Sequence, residues 1–202
     1  FTVGGVDDTS LLLMPEASWL LVRADDRIYS TRGMRMQLSL RGASEALLSS
    51  TTFVQTELQA KFIQKVFSAS RIILRGHAGI SYTPDFRELP SSQRFFAGGD
   101  QSVRGYDYES LAPTDVNGVI LGGRHLLVGS AEYEHHIKGK WSAAVFVDTG
   151  GAIDSLSDRL STGAGIGLRW RSPIGLIRVD VASALSKDGD PLRLHLVIGP
   201  DL

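Results

Sequence analysis

The sequence predicts an all-β chain, an antiparallel transmembrane β-barrel. Three observations lead there. Hydrophobicity alternates with a period of two along most of the 202 residues. The alternating segments are mostly longer than the roughly five or six residues usual in soluble sheets, and about ten residues is what a bilayer requires. Connections switch between tight turns and longer polar loops, as outer-membrane barrels do.

The segments number about nine. Residues 11–25 give a first strand, its face blurred by the run Trp19-Leu20-Leu21-Val22. In 33–43, Met34, Met36, Leu38 and Leu40 alternate with Arg35, Gln37, Ser39 and Arg41. In 52–66, Val54, Leu58, Ala60 and Phe62 oppose Gln55, Glu57, Gln59 and Lys61. In 70–82, Ile72, Leu74, Ala78, Ile80 and Tyr82 oppose Arg71, Arg75, His77 and Ser81. After a long gap, 124–137 sets Leu127, Ala131, Tyr133 and Ile137 against Arg124, Ser130, Glu132, Glu134 and His136. Four segments follow closely, at 140–152, 161–172, 175–185 and 192–199. Their polar sides carry Ser142 and Asp148, then Gly163, Gly165, Gly167, Arg169 and Arg171, then Arg178 and Asp180, then Arg193 and His195. Ala69, Lys138-Gly139 and Ser172-Pro173-Ile174 are the tight connections.

A soluble β-sandwich would also alternate. Its polar face would be rich in Lys and Glu and its strands shorter. Glycines, arginines and paired acids suit a wet lumen better. Composition agrees. Apolar runs are short, so there is no helix of the roughly 20 apolar residues that would span a bilayer. A barrel leaves the same trace, because lipid-facing and lumen-facing residues alternate. The formal net charge of −1 from 21 basic and 22 acidic residues argues against a nucleic-acid partner. The absence of cysteine excludes disulfides and thiolate metal sites. Phe1-Thr2-Val3-Gly4-Gly5 has neither the basic nor the apolar region of a signal peptide, and reads as mid-protein sequence. The expectation is a mature fragment whose N-terminal part is missing.

Several features invite a chemical reading. Gly163-x-Gly165-x-Gly167 resembles a dinucleotide fingerprint, but that motif joins a strand to a helix, and this one lies inside an alternating strand. Glycine at every second position instead lets another backbone approach, or relaxes curvature. Glu132, Glu134, His135 and His136 suggest a metal, yet alternation puts the two histidines on opposite faces. The remaining histidines, His77, His125 and His195, accompany no serine elbow. The chain therefore reads as a non-enzyme without cofactor or metal. Trp19, Trp141, Trp170, Tyr82 and Tyr133 read as an interfacial aromatic belt, with ordinary core aromatics as the alternative.

The longest connection, Thr83 to Gly123, is too long for a passive link in a compact domain. It contains Gln93-Arg94-Phe95-Phe96-Ala97-Gly98-Gly99-Asp100-Gln101-Ser102-Val103-Arg104-Gly105-Tyr106. Gly98-Gly99 permits a tight reversal. An apolar tip that buries would carry Arg104 with it, and a buried guanidinium must be paired. Glu132, Glu134 and Asp148 offer carboxylates on polar strand faces. A solvated arginine with unrelated acids is the alternative.

The segment from Arg94 to Tyr106 resembles the RFFAGG…SVRGY signature of the BamA/TamA superfamily of outer-membrane assembly and two-partner-secretion barrels. Tyr108, Ser110, Leu111, Ala112 and Pro113 continue a TamA-like pattern. Gly139-Lys140-Trp141, Ala143 to Gly150, Gly163 to Gly175 and Ile198 to Leu202 are similar to later parts of the same barrels. Before Arg94 only the strand pattern supports the likeness. The resemblance implies the C-terminal portion of a sixteen-stranded barrel. Five strands follow the loop, and POTRA domains and the first strands are absent from this chain. It implies a lumen loop, about 83–123, built on Arg94, Phe95, Gly98, Gly99, Val103, Arg104, Gly105 and Tyr106. Arg104 would pair with Glu132 and Asp148; Glu134 is a weaker match. It implies insertion or export of unfolded outer-membrane or autotransporter proteins through a lateral gate. The gate strand would carry Leu192, Leu194, Leu196, Ile198 and Gly199. The implied partners are the outer-membrane bilayer of a Gram-negative bacterium, unfolded substrates and a periplasm-spanning TamB-like protein. A two-partner-secretion transporter, or a passive porin-like barrel, is the alternative.

Overall fold

The computed structural model describes residues 10–202 save 27, 174, 188 and 190. The Phe1–Gly5 segment and Ile174 of the expected tight turn lie outside the described residues. Nine strands form one antiparallel sheet, each paired with its neighbours in sequence order. They are β1 (Glu16–Ala24), β2 (Arg32–Ala43), β3 (Phe53–Phe67), β4 (Ser70–Tyr82), β5 (His125–Lys138), β6 (Trp141–Ile153), β7 (Ser161–Ser172), β8 (Gly175–Ala184) and β9 (Leu192–Gly199). The first is shorter than the 11–25 expected from sequence. Leu12 and Met14 leave the sheet and pack on Ala43, Phe53 and Leu89.

Strict alternation sorts the side chains. Leu38, Leu58, Leu74, Leu127, Val145, Ile166, Val181 and Leu194 are exposed on the convex face. Arg71, Glu132, Glu134, Asp148, Arg169 and Asp180 are buried on the concave one. Such an arrangement inverts a soluble protein, and a lipid-facing outer wall explains it. Among the described residues no helix is long and apolar enough to cross a membrane. β3 to β6 run to 13–15 residues, ample for tilted membrane strands.

The aromatics divide. Trp141 and Trp170 are cross-strand partners at the short-turn end, stacked with centroids 6.0 Å apart. Tyr82 closes β4 at the opposite end. Trp19 instead pairs with Leu38 in the middle of β2 and is not a rim residue.

The turns of β3–β4, β5–β6 and β7–β8 are short, whereas β4–β5 spans 83–124. That long connection folds into the concave side. Phe95, Ala97, Val103 and Tyr106 pack there on Leu126, Val128, Ala152 and Ala184. Part of the sheet's interior is thus filled by its own loop.

A charge on the outer wall tests the orientation. Val145 lies mid-strand between Tyr133 and Ile166. Val145→Arg is expected to destabilise the full-length protein in phospholipid vesicles by roughly 2–4 kcal/mol, and Val145→Leu by little. Urea unfolding measures both, and an unaffected Val145→Arg would place that wall in water.

Candidate functional site

The loop is shaped before it reaches the sheet. Phe95 and Gly123 form an antiparallel bridge at its neck. Arg94 holds the neck by donating to the carbonyls of Leu89 (2.8 Å), Arg87 (3.0 Å) and Leu121 (3.1 Å). It does not reach the buried charges. Gly98 and Gly99 have φ of 104° and 97°, the left-handed region where a side chain is strained. Beneath the neck, a Cβ at Gly79 would overlap the Phe95 ring, so that strand glycine is the seat of the aromatic.

Arg104 sits at the inner end, 4 % exposed. Its Nε and Nη2 donate to Asp148 at 2.7 and 2.9 Å, a two-pronged pairing that only a guanidinium makes. Nη1 donates to Glu132 and to Asp180, each at 2.9 Å. Its backbone N–H also donates to Asp148 (3.1 Å), and its Cζ lies 3.3 Å from the Phe146 ring centroid. Burial alone would disfavour the charge. The Asp148 hydrogen bond and the attraction of Asp148, Glu132 and Asp180 outweigh it and raise the guanidinium pKa above its ordinary value.

Sequence reasoning named Glu132 and Asp148 for Arg104, and both lie against it. It missed Asp180, and it missed Arg169, which binds Glu132 (2.8 Å) and Asp180 on the far side. Two arginines and three carboxylates therefore interlock across β5, β6, β7 and β8. Glu134 belongs elsewhere. It pairs with Arg71 at 2.6 Å, and Arg71 also binds Asp201 at 2.5 Å, just beyond β9. Tyr29 covers this second cluster, its ring centroid 3.8 Å from Arg71 Cζ and its hydroxyl donating to Glu134 at 2.8 Å. Arg178 reaches Asp201 at 2.8 Å.

The loop also grips β9. The Gly105 N–H donates to His195 Nε2 at 3.0 Å, which leaves the ring proton on Nδ1, facing Asp100. Arg193 pairs with Asp107 at 2.5 Å. Tyr106 donates its hydroxyl to the Thr162 carbonyl at 3.0 Å. Val103 is fully buried. The expected gate residues Leu192, Leu194, Leu196 and Ile198 are exposed on the outer face of β9, and Gly199 ends it.

No group of three or more potential metal ligands comes together among the described residues. Glu132 and Glu134 face arginines; His135 Nδ1 meets Ser70 Oγ at 2.8 Å on the other face. The Gly163, Gly165 and Gly167 positions lie within β7 and back onto the cluster. A Cβ at Gly163 would overlap the Arg104 carbonyl, and one at Gly167 the Asp180 carboxylate.

A sheet with a lipid-type outer wall and a loop locked inside by buried ion pairs defines an outer-membrane β-barrel with an inserted lumen loop. The Omp85 superfamily domain matches residues 5–201, and the chain belongs to that superfamily. It is 32 % identical over 111 residues to the outer membrane protein assembly factor BamA of Nitratidesulfovibrio vulgaris, covering 51 % of this chain and 14 % of that protein. It is 29 % identical over 156 residues to BamA of Neorickettsia risticii, covering 70 % of this chain and 21 % of that one. It is 30 % identical over 119 residues to the chloroplastic outer envelope protein 80 of Arabidopsis thaliana, covering 53 % and 15 %. The crystal structure of BamA from Haemophilus ducreyi lacking POTRA domains 1-3 shares the fold. Its TM-score is 0.77 at 20 % identity, over 92 % of this chain and 41 % of that one. The chain thus spans about a fifth or less of the curated relatives' length. Its place is an outer membrane.

Removing Arg104 takes the two-pronged partner from buried Asp148 and leaves Arg169 alone to hold Glu132 and Asp180. Arg104→Ala in the full-length protein is expected to lose about 3–5 kcal/mol of stability, the usual cost of an orphaned buried charge. Arg104→Lys should lose less, keeping the charge without the fork. Denaturant unfolding in lipid vesicles compares them; an unchanged Arg104→Ala transition would show that the cluster is not a brace.

Proposed function

We propose that this chain is the C-terminal part of the barrel domain of a TamA-like assembly factor. On this reading residues 1–202 follow POTRA domains and further strands in the whole protein, and the loop at about 83–123 braces the lumen through Arg104, Glu132 and Asp148. Unfolded outer-membrane or autotransporter proteins enter by pairing a strand with the edge of β9. A periplasm-spanning TamB-like protein delivers them. No nucleotide, metal or covalent intermediate takes part.

The observation that carries this reading is β9 itself. It is the shortest strand, at 8 residues, and pairs on one side with β8. Among the described residues its other edge pairs with nothing, and neither does the outer edge of β1; on this reading strands that precede this chain supply the partner that a substrate strand displaces from β9. Unpaired backbone facing lipid costs several kcal/mol per group, so that edge must meet another strand. A short strand offers few hydrogen bonds to exchange, and strand addition is the recognition mode that such an edge serves. The curated relatives' description as outer-membrane assembly factors supports the same use.

Residues 1–202 hold no cysteine, so a substituted one is the only thiol in this part of the protein. Cysteines placed in turn at Leu192, Arg193, Leu194, His195 and Leu196 of the full-length protein are expected to form disulfides with a stalled substrate's terminal strand. The yield should alternate along β9, as paired strands require. Absence of crosslinks from β9 would defeat strand pairing. Crosslinks from lumen positions to a passing extended chain would favour two-partner secretion instead.

A further inference from the structure

Beyond the loop cluster the concave wall carries a second organised charge. Arg35, Lys61 and Arg75 are directly opposed across β2, β3 and β4, one beside the next at a single height of the sheet. All three line one cavity of about 430 Å³. Neighbouring strands lie roughly 4.8 Å apart, so the row spans about 10 Å. Like charges directly opposite each other disfavour strand pairing. A sheet that places three cations in register therefore carries a repulsion that some counter-charge must relieve.

The nearby carboxylates are committed elsewhere. Glu132, Asp180 and Asp100 line the same cavity, but the first two are held between Arg104 and Arg169, and Asp100 faces the His195 ring. Asp201 is bound by Arg71 and Arg178. Asp148 continues the row beyond Ser130 and reaches Arg75 at 3.4 Å, while its shorter bonds go to Arg104. Glu57 faces His77 and Arg41. What is left for the row is weaker. Arg35 donates to the Gln37 amide oxygen at 3.1 Å, and Lys61 donates to the Asp201 main-chain carbonyl. Among the described residues neither has a carboxylate at ion-pair distance.

We propose that this cavity binds a small phosphate-class oxyanion carrying two or more negative charges, held by Arg35, Lys61 and Arg75. Two guanidinium forks flanking an ammonium suit such a ligand: the forks pair with oxygens two at a time, and the lysine adds a compact charge between them. The volume falls in the range of small-molecule pockets and admits a diphosphate. The cavity opens to the concave interior, so a soluble anion, and not a lipid headgroup, is the ligand. A merely solvated cation row would give only non-specific ionic-strength effects.

The test is calorimetric titration of the full-length protein in detergent micelles with inorganic pyrophosphate and with inorganic phosphate, chloride balancing the ionic strength. Saturable binding is expected, tighter for pyrophosphate. Lys61→Gln and Arg35→Gln should each weaken it at least about tenfold, while Lys187→Gln, on an exposed loop, leaves it unchanged. Neither variant touches the Arg104 cluster. The unmodified protein supplies a readout free of any folding defect: its unfolding temperature should rise with pyrophosphate at constant ionic strength. Heats that never saturate with no such rise, or binding undiminished in both row variants, overturn the proposal.

Discussion

Everything inside this sheet depends on one requirement: a guanidinium taken out of water must be fully paired. Arg104 arrives on a loop, and Glu132, Asp148 and Asp180 arrive on three different strands. Arg169 binds two of those acids from behind. Moving any one strand by a single residue would turn its acid to the lipid and leave a charge unpaired. Buried ion pairs are weak evidence for stability, because desolvation consumes most of the attraction. What they supply here is definition: one loop position, and one register over four consecutive strands.

The glycines of β7 make room for that arrangement. At Gly163 the wall is thin enough for the Arg104 main chain to lie against it, at Gly165 for the Phe146 ring, and at Gly167 for the Asp180 carboxylate. The ring then lies close under the guanidinium, adding a cation–π contact in a desolvated site. On the opposite side the loop holds β9 through Gly105, Asp100 and Asp107. The same short segment therefore occupies part of the interior and restrains β9, one of the sheet's two edge strands among the described residues.

Strands were readable from sequence because a period of two reports which face each residue occupies, and burial of one face enforces it. β4, β7 and β9 match their expected bounds, and β2, β3, β5, β6 and β8 agree within a residue. The exception is β1, where Trp19-Leu20-Leu21-Val22 is apolar on both faces and the alternation signal vanishes. Alternation does not report which residues on a face meet. Asp180 and Arg169 were both legible as inward-facing, yet nothing local shows that they share Arg104's acids, since that depends on curvature across several strands. His195 and Asp100 are 95 residues apart and meet only because the loop doubles back. Arg71 with Glu134 was readable in principle: they are cross-strand partners once the β4–β5 register is known. The long loop hid that register.

Asp201 links the end of the chain to its middle. Arg71 and Glu134 come together when β4 pairs with β5, but Arg71 gains its second carboxylate only from a residue 130 positions later. Until β9 has been made and laid down, Arg71, Arg178 and the Ser30 amide all lack that acceptor. A chain broken off before β9 would assemble much of the wall and still hold unneutralised positive charge at its short-turn end. One carboxylate just past β9 thereby gathers β4, β8 and the β1–β2 connection, so the seating of the ninth strand is checked by donors that three earlier parts of the wall already hold.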